Sequence, residues 1–518
     1  MASIGIVNAD VPDQVLLNAN TIRDKRIYFG VFFDGTGNNM VQKGDAIEFR
    51  RQQRNDQDWE FKVNYNLNQY GAHELGLRRN KDNDYSNVAI LHGRYQAMSG
   101  EEFKQAQNDY EVYRFNIYVE GAGTGAINRD STMQDIANVS GSGFGAGVTG
   151  VVSLVSKAVT MIRMMLKCFG SLTERDEIHF DVFGFSRGSA CARLFAFLVA
   201  RSPGERLACE DAFAKYSARS YYSQNFLHFM DDIVAKSQVD FLGIYDTVTS
   251  IGISYKNNVS DYGQHSPTLG KVKNTFHICA MDEFRQHFGL TDIGNASDAS
   301  GNAEFFIPGC HSDVGGGYLA QKEQIKLSLD TLNLVEGKTR VYVENPQSSS
   351  GITAILDKTS LQNLGWISAI STSGKTSTNY LTDKITVTRT LKAGYNTIPL
   401  RMMLTRACTK THRHMYGPLP MRFEIPGDLR SYGEQLISRA QTVNGRHWYY
   451  PQGSFKSQFY RYIRSTYLHF TSTDAMFSDW VHGPSKIGNT ICRIVYRGDG
   501  TNASELHMVD YNAVAESI

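Results

Sequence analysis

Gly184-Phe185-Ser186-Arg187-Gly188 has a spacing that chemistry can use. In a G-x-S-x-G segment a strand turns sharply into a helix, and the turn holds the serine with its hydroxyl exposed. Flanking glycines remove the Cβ atoms that would collide across such a turn. The surroundings suit it: the apolar run from Glu177 precedes the motif, and a helix-like run with small Ala190 and Ala192 follows. The bland counterpart is a plain strand-to-helix turn with a surface serine. Ser189 lies inside the start of that helix and competes poorly as a nucleophile.

A serine hydroxyl needs a base, and the base needs a group that orients it. In hydrolases built on a nucleophile elbow, serine, acid and histidine follow in that chain order, with the serine on a strand-to-helix turn. His311 follows the apolar "EFFIPGC" and enters a glycine-rich turn. His179 and His277 lie inside apolar strands and read as core residues, His287 falls in a helix-like run, and His265 in a polar loop. Two placements of the acid are open. Asp246 ends "FLGIYD" on the first strand after the serine, and Asp282 or Glu283 in "AMDE" ends the second. Placement does not choose between them.

The developing oxyanion needs two N–H donors. One is the amide of Arg187, next to the serine. The other is assigned to Gly35 or Thr36 in "DGTGNN", whose alternative role is a glycine turn with Asp and Asn capping a helix. No G-K-[ST] follows either glycine-rich turn, so a phosphate loop is a poor match. Asp313 positions the histidine loop, caps its own turn, or joins Asp34 around a cation; the capping role is favoured. No metal and no cofactor is expected for this chemistry.

The elements that must hold these groups are apolar runs alternating with helix-like ones. Strands are expected from Arg26, Val112, Glu177, Gln238, Val272 and Ala303, with helices such as Ala190–Val199 and Asn225–Ala235 between them. Strands apolar on both faces imply a mostly parallel sheet covered by helices on both sides. The fold class is α/β, an α/β-hydrolase-like sheet with a β-rich insertion and an accessory C-terminal region. The division is an N-terminal arm (1–20), a hydrolase core (21–325), a Ser/Thr-rich β insertion (326–396), and a segment (397–518) that returns to the core as helix. That last segment ends in an aromatic-rich stretch open to membrane or partner contact.

The totals exclude some functions. A formal net charge of +1 in 518 residues, with both signs interspersed, argues against nucleic acid as the main partner. Seven scattered cysteines without a C-x-x-C pair argue against a zinc cluster and fit a reducing compartment at synthesis. The first twenty residues lack the basic-then-apolar pattern of a secretory signal. Ile136–Ser156 is apolar and long enough to span a bilayer, but its glycines, serines and threonines make it a poor spanning helix. Val148–Gly170, with Lys157, Arg163 and Lys167, reads as a core helix, with a lid against lipid as the alternative.

Six ordered blocks, "FFDGTGNN", "YVEGAGTG", "FGFSRGSACAR", "GIYDTV", "HICAMDEFRQHF" and "PGCHSDVGGGY", resemble the family-one antibacterial lipase effectors of type VI secretion, a group of α/β-hydrolases. The resemblance spans about Arg26–Tyr318. It implies a serine-dependent phospholipase A1 or A2 with Ser186, Asp246 and His311 as the triad. It also implies synthesis in the cytoplasm and injection into a rival cell's periplasm, where membrane phospholipid is the substrate. A cognate immunity protein and a spike or carrier protein are the implied partners. The competing readings are a carboxylesterase, thioesterase or peptidase on the same scaffold, and a binding module with an inert elbow.

Overall fold

The computed structural model describes residues 24–38, 85–95, 110–122, most of 150–200, 236–249, 272–318 apart from 286, 321–328, 376–379, 384–411, most of 419–451, 457–471, and short runs within 486–517. The N-terminal arm, residues 136–149, residues 225–235, His265 and most of the insertion lie outside the described residues.

Eight strands form the central sheet: β1 (Asp24–Phe33), β2 (Tyr110–Val119), β3 (Glu177–Phe185), β4 (Ser237–Tyr245), β5 (Thr275–Ala280), β6 (Ala303–Ile307), β7 (Gly445–Tyr450) and β8 (Ala515–Ser517). Their order is β2-β1-β3-β4-β5-β6-β7-β8. Every neighbouring pair is parallel. Parallel pairing requires crossovers, which place helices on the faces and bury the strands on both sides.

The period of two sorts side chains between two cores. Ile27, Phe29, Val31 and Phe33 of β1 enter one core and Phe32 the other; in β3, Ile178, Phe180 and Val182 part from Phe183 and Phe185 in the same way. Helices α2 (Val151–Lys167) and α3 (Arg187–Ala200) fill the first core. The second takes α1 (Asn87–His92), α5 (Thr397–Thr411), α6 (Arg430–Thr442) and α7 (Gln458–Thr466). A short helix, α4 (His311–Gly315), sits at the end of β6.

In α2 the Val, Leu and Ile positions are buried against the sheet, and Lys157 is salt-bridged to Glu120 at 2.6 Å. The helix is therefore part of the core, and Met164 is its exposed apolar residue. Among the described residues no helix is long and apolar enough to cross a membrane.

The C-terminal segment extends the sheet itself. Trp448, Tyr449 and Tyr450 of β7 are buried, as are Tyr460, Tyr467 and Phe470, so these aromatics pack inward, while Tyr462 of α7 is exposed. Arg406 of α5 is fully buried and donates to the carbonyls of Ala440, Val443 and Gly301 and to Asn444 Oδ1, fastening α5 to α6 and to the loop before β6. Gln321–Ser328 pairs antiparallel with Lys384–Leu391, which pairs antiparallel with Thr376–Asn379, a three-stranded sheet whose first strand begins before the expected insertion boundary at residue 326.

Candidate active site

Ser186 sits between β3 and α3 with φ +60°, a left-handed conformation that is unfavourable for a residue with a Cβ. Backbone bonds hold it there. Ser186 N–H donates to Tyr245 O at 3.0 Å, and its carbonyl accepts from Ser189, Ala190 and Val248. The two glycines are steric necessities. A Cβ on Gly184 would lie 2.4 Å from Gly188 O, and one on Gly188 would lie 2.2 Å from Phe33 O and 2.4 Å from Asp34 O. These contacts are with backbone, which cannot step aside. Gly188→Ala is therefore expected to cost about 1–3 kcal/mol, measured as a lowered urea midpoint, and to displace the serine from the strand end.

Asp246 follows β4, the strand beside β3, and also has positive φ, +38°. Its Oδ2 accepts from His311 Nδ1 at 2.6 Å, and its Oδ1 accepts from Ala280 N at 2.9 Å and Arg493 Nη2 at 2.8 Å. Burial alone would raise this carboxyl, but the Arg493 guanidinium and the His311 bond outweigh burial and hold it below the usual range. His311 opens α4 after β6. Burial lowers its basicity, and the Asp246 bond opposes that without cancelling it. Phe185 and Phe288 flank the imidazole, with ring centroids at 4.6 and 5.1 Å. Nδ1 is taken by Asp246, so Nε2 is the nitrogen left to accept a proton.

The other candidate acids have different partners. Asp282 accepts from Gly309 N at 2.8 Å, from Tyr460 OH and from buried Arg464. Glu283 accepts from Arg285 Nε and Nη2, at 2.8 and 2.7 Å, and from His311 N–H at 3.2 Å. Burial opposes its ionisation, but Arg285 above all holds it at about 2. It supports the backbone of the histidine rather than the ring. Asp313 fixes the same loop: Oδ2 accepts from Cys310 N and His469 N, each at 2.9 Å, and Oδ1 pairs with His469 Nδ1 at 2.7 Å.

In the "DGTGNN" turn, Gly35 N–H donates to Asp34 Oδ1 at 2.7 Å, and Tyr118 OH donates to Asp34 Oδ2 at 2.6 Å. Asp34 thus stiffens the turn and engages the Gly35 N–H. The two glycine turns clasp backbone to backbone: Gly37 N donates to Ala122 O, and Gly121 N to Asn38 O. Arg187 begins α3, where the first amides lack intrahelical acceptors.

His277, Cys279 and Glu304 offer ligand atoms within 4.8 Å of one another, all buried. They are joined in a hydrogen-bonded network. His277 Nδ1 pairs with Glu304 Oε1 at 2.8 Å, its Nε2 accepts from Thr247 N, and Glu304 Oε2 accepts from Arg446 at 2.6 Å. Burial pushes the Cys279 thiol far up. His179 is likewise engaged, by Asp240 at 2.8 Å.

Arg493, His469 and Thr471 are the site residues that sequence reasoning missed. They come from the far C-terminal segment and carry no local motif.

An elbow serine, a strand-end Asp–His pair and an all-parallel sheet define an α/β-hydrolase-like protein. Residues 75–335, half the chain, match the catalytic domain of the type VI secretion phospholipase effectors described as Tle1-like. The chain belongs to this family of type VI secretion phospholipase effectors. Among solved structures, the Tle1 effector bound to the VgrG spike of the type 6 secretion system is similar at 20% identity and TM-score 0.47, over 96% of this chain and 95% of that one. An uncharacterised protein from Pseudomonas aeruginosa is similar at 14% identity and TM-score 0.34, over 80% of this chain and 53% of that one. No curated protein matches the chain.

Proposed function

We propose that this effector is a serine-dependent phospholipase A that cleaves an sn-1 or sn-2 acyl ester of membrane phospholipid. The observation that carries the reading is the positive-φ Ser186 at a strand end, beside the Asp246–His311 pair at the ends of β4 and β6. His311 Nε2 takes the proton of Ser186 Oγ as that oxygen bonds to the ester carbonyl carbon. The Arg187 amide and the Thr36 turn stabilise the oxyanion. The imidazolium then protonates the departing lysophospholipid oxygen, and water releases the fatty acid from the acyl-enzyme. Asp246 keeps the proton on Nδ1 and balances the imidazolium charge.

Delivery into a target cell's periplasm, on a spike carrier and with an immunity protein guarding the producer, belongs to the same proposal. Family membership supports it. The test is product analysis on vesicles of a phospholipid with two different acyl chains, with Ser186→Ala as the control. One released fatty acid and its matching lysophospholipid, both absent with Ser186→Ala, are expected. Turnover of short soluble esters with the phospholipid untouched would move the reading to a carboxylesterase.

A further inference from the structure

We infer that Arg493 is a positioning residue for the hydrolysis. It fixes the Asp246 carboxylate against His311 and keeps the imidazole neutral at acidic pH. The inference rests on the proposed Ser186–Asp246–His311 reading.

An acid that orients a histidine through one oxygen must have its other oxygen satisfied, and in a buried site an unmatched charge is costly. Asp246 is fully buried, and its second oxygen meets a backbone N–H and a guanidinium that is itself almost fully buried. A guanidinium remains charged at any working pH. A second guanidinium nitrogen serves the same site. Arg493 Nη1 donates to Phe288 O at 2.6 Å and to Glu283 O at 3.4 Å. Phe288 edges the imidazole, and Glu283 holds the His311 amide. One side chain therefore ties the acid to the loop that frames the base.

The backbone around Arg493 is fixed too. Val495–Tyr496 pairs with Leu290–Thr291, Leu290 N donates to Ile494 O at 2.9 Å, and Gly498 N donates to Asp292 Oδ1 at 2.7 Å. This segment lies outside residues 75–335, so the matched catalytic domain takes its acid's ion partner from elsewhere in the chain.

The other groups facing the dyad have partners of their own. Glu283 is ion-paired with Arg285 in the loop after β5, where Arg285 opposes and Glu283 favours the His311 imidazolium, and Asp313 of α4 is hydrogen-bonded to His469. The Cys279 and Cys310 thiols are held protonated by burial, and His277 is bound to Glu304. That leaves the Arg493 cation as the charge set against Asp246. A cation there disfavours the imidazolium, so its removal should make the dyad easier to protonate.

The test is the pH dependence of kcat/KM for full-length wild type, Arg493→Met and Arg493→Lys on mixed phospholipid–detergent micelles. Arg493→Met should lower kcat about 10- to 100-fold with KM little changed, and should move the acidic limb up by roughly one pH unit. Arg493→Lys should keep the wild-type limb. A folded Arg493→Met with the wild-type limb overturns the inference and leaves a merely structural arginine. If Arg493→Met does not fold, Arg493→Gln decides, because it keeps a side-chain donor without the charge: an upward limb in that variant supports the inference and an unmoved one overturns it. Ser186→Ala runs in parallel: retained hydrolysis there defeats the triad reading itself, whereas an unmoved limb in Arg493→Met defeats only the role of Arg493.

Discussion

Ser186→Ala loses phospholipid hydrolysis by about four orders of magnitude or more and keeps its fold. The backbone explains why the two separate. The turn is held by Ser186 N–H on Tyr245 O and by three amides on the Ser186 carbonyl, and alanine retains all of these. Alanine also meets the same left-handed φ with a Cβ of the same size. Ser189→Ala is the contrasting control, because Ser189 Oγ donates to Tyr245 O at 2.8 Å inside the core. Its loss costs about 1 kcal/mol of stability with little change in kcat. The pair is read by a fatty-acid release assay beside a urea unfolding curve.

Asp246→Asn is the second large effect, a loss in kcat of about 10⁴-fold. An amide in place of Oδ2 stabilises the wrong imidazole tautomer, with the proton moved off Nδ1. It also leaves the Arg493 guanidinium without its counter-charge in a site sealed from water, so the variant should lose stability as well. Asp282→Asn separates the two candidate acids. Asp282 accepts from Gly309 N, Tyr460 and Arg464, which lock the β6 loop to α7. That substitution should lower the unfolding midpoint while the folded fraction keeps most of its turnover. A kcat collapse in Asp282→Asn together with a mild Asp246→Asn would reverse the assignment.

Much of this site was legible because its determinants are local. Gly184 and Gly188 mark the elbow because backbone fills the places of their missing Cβ atoms. The apolar runs ending at Phe185, Tyr245 and Ile307 announce strand ends, where parallel sheets present their functional loops. Choosing among Asp246, Asp282 and Glu283 needed more than position. All three follow strands; the family resemblance names Asp246, and the three-dimensional path shows that its carboxylate is the one that meets His311 Nδ1.

The C-terminal segment was the least legible part. "VNGRHWYYP" has the bulky aromatic content of a strand between turn residues, yet its pairing with β6 depends on the intervening chain returning to the sheet edge. Arg493 lies 247 residues from Asp246, and no periodicity encodes an ion pair over that separation. The same holds for His469 on Asp313 and Thr471 on Glu283.

The central claim is that Ser186 is a nucleophile activated by His311. A fluorophosphonate probe followed by peptide mass mapping tests it most directly. One covalent adduct per chain is expected, on the peptide that carries Ser186, formed in step with loss of lipid hydrolysis and abolished by His311→Ala. Full hydrolysis after complete labelling of Ser186, or inactivation with the adduct on another residue, would contradict it.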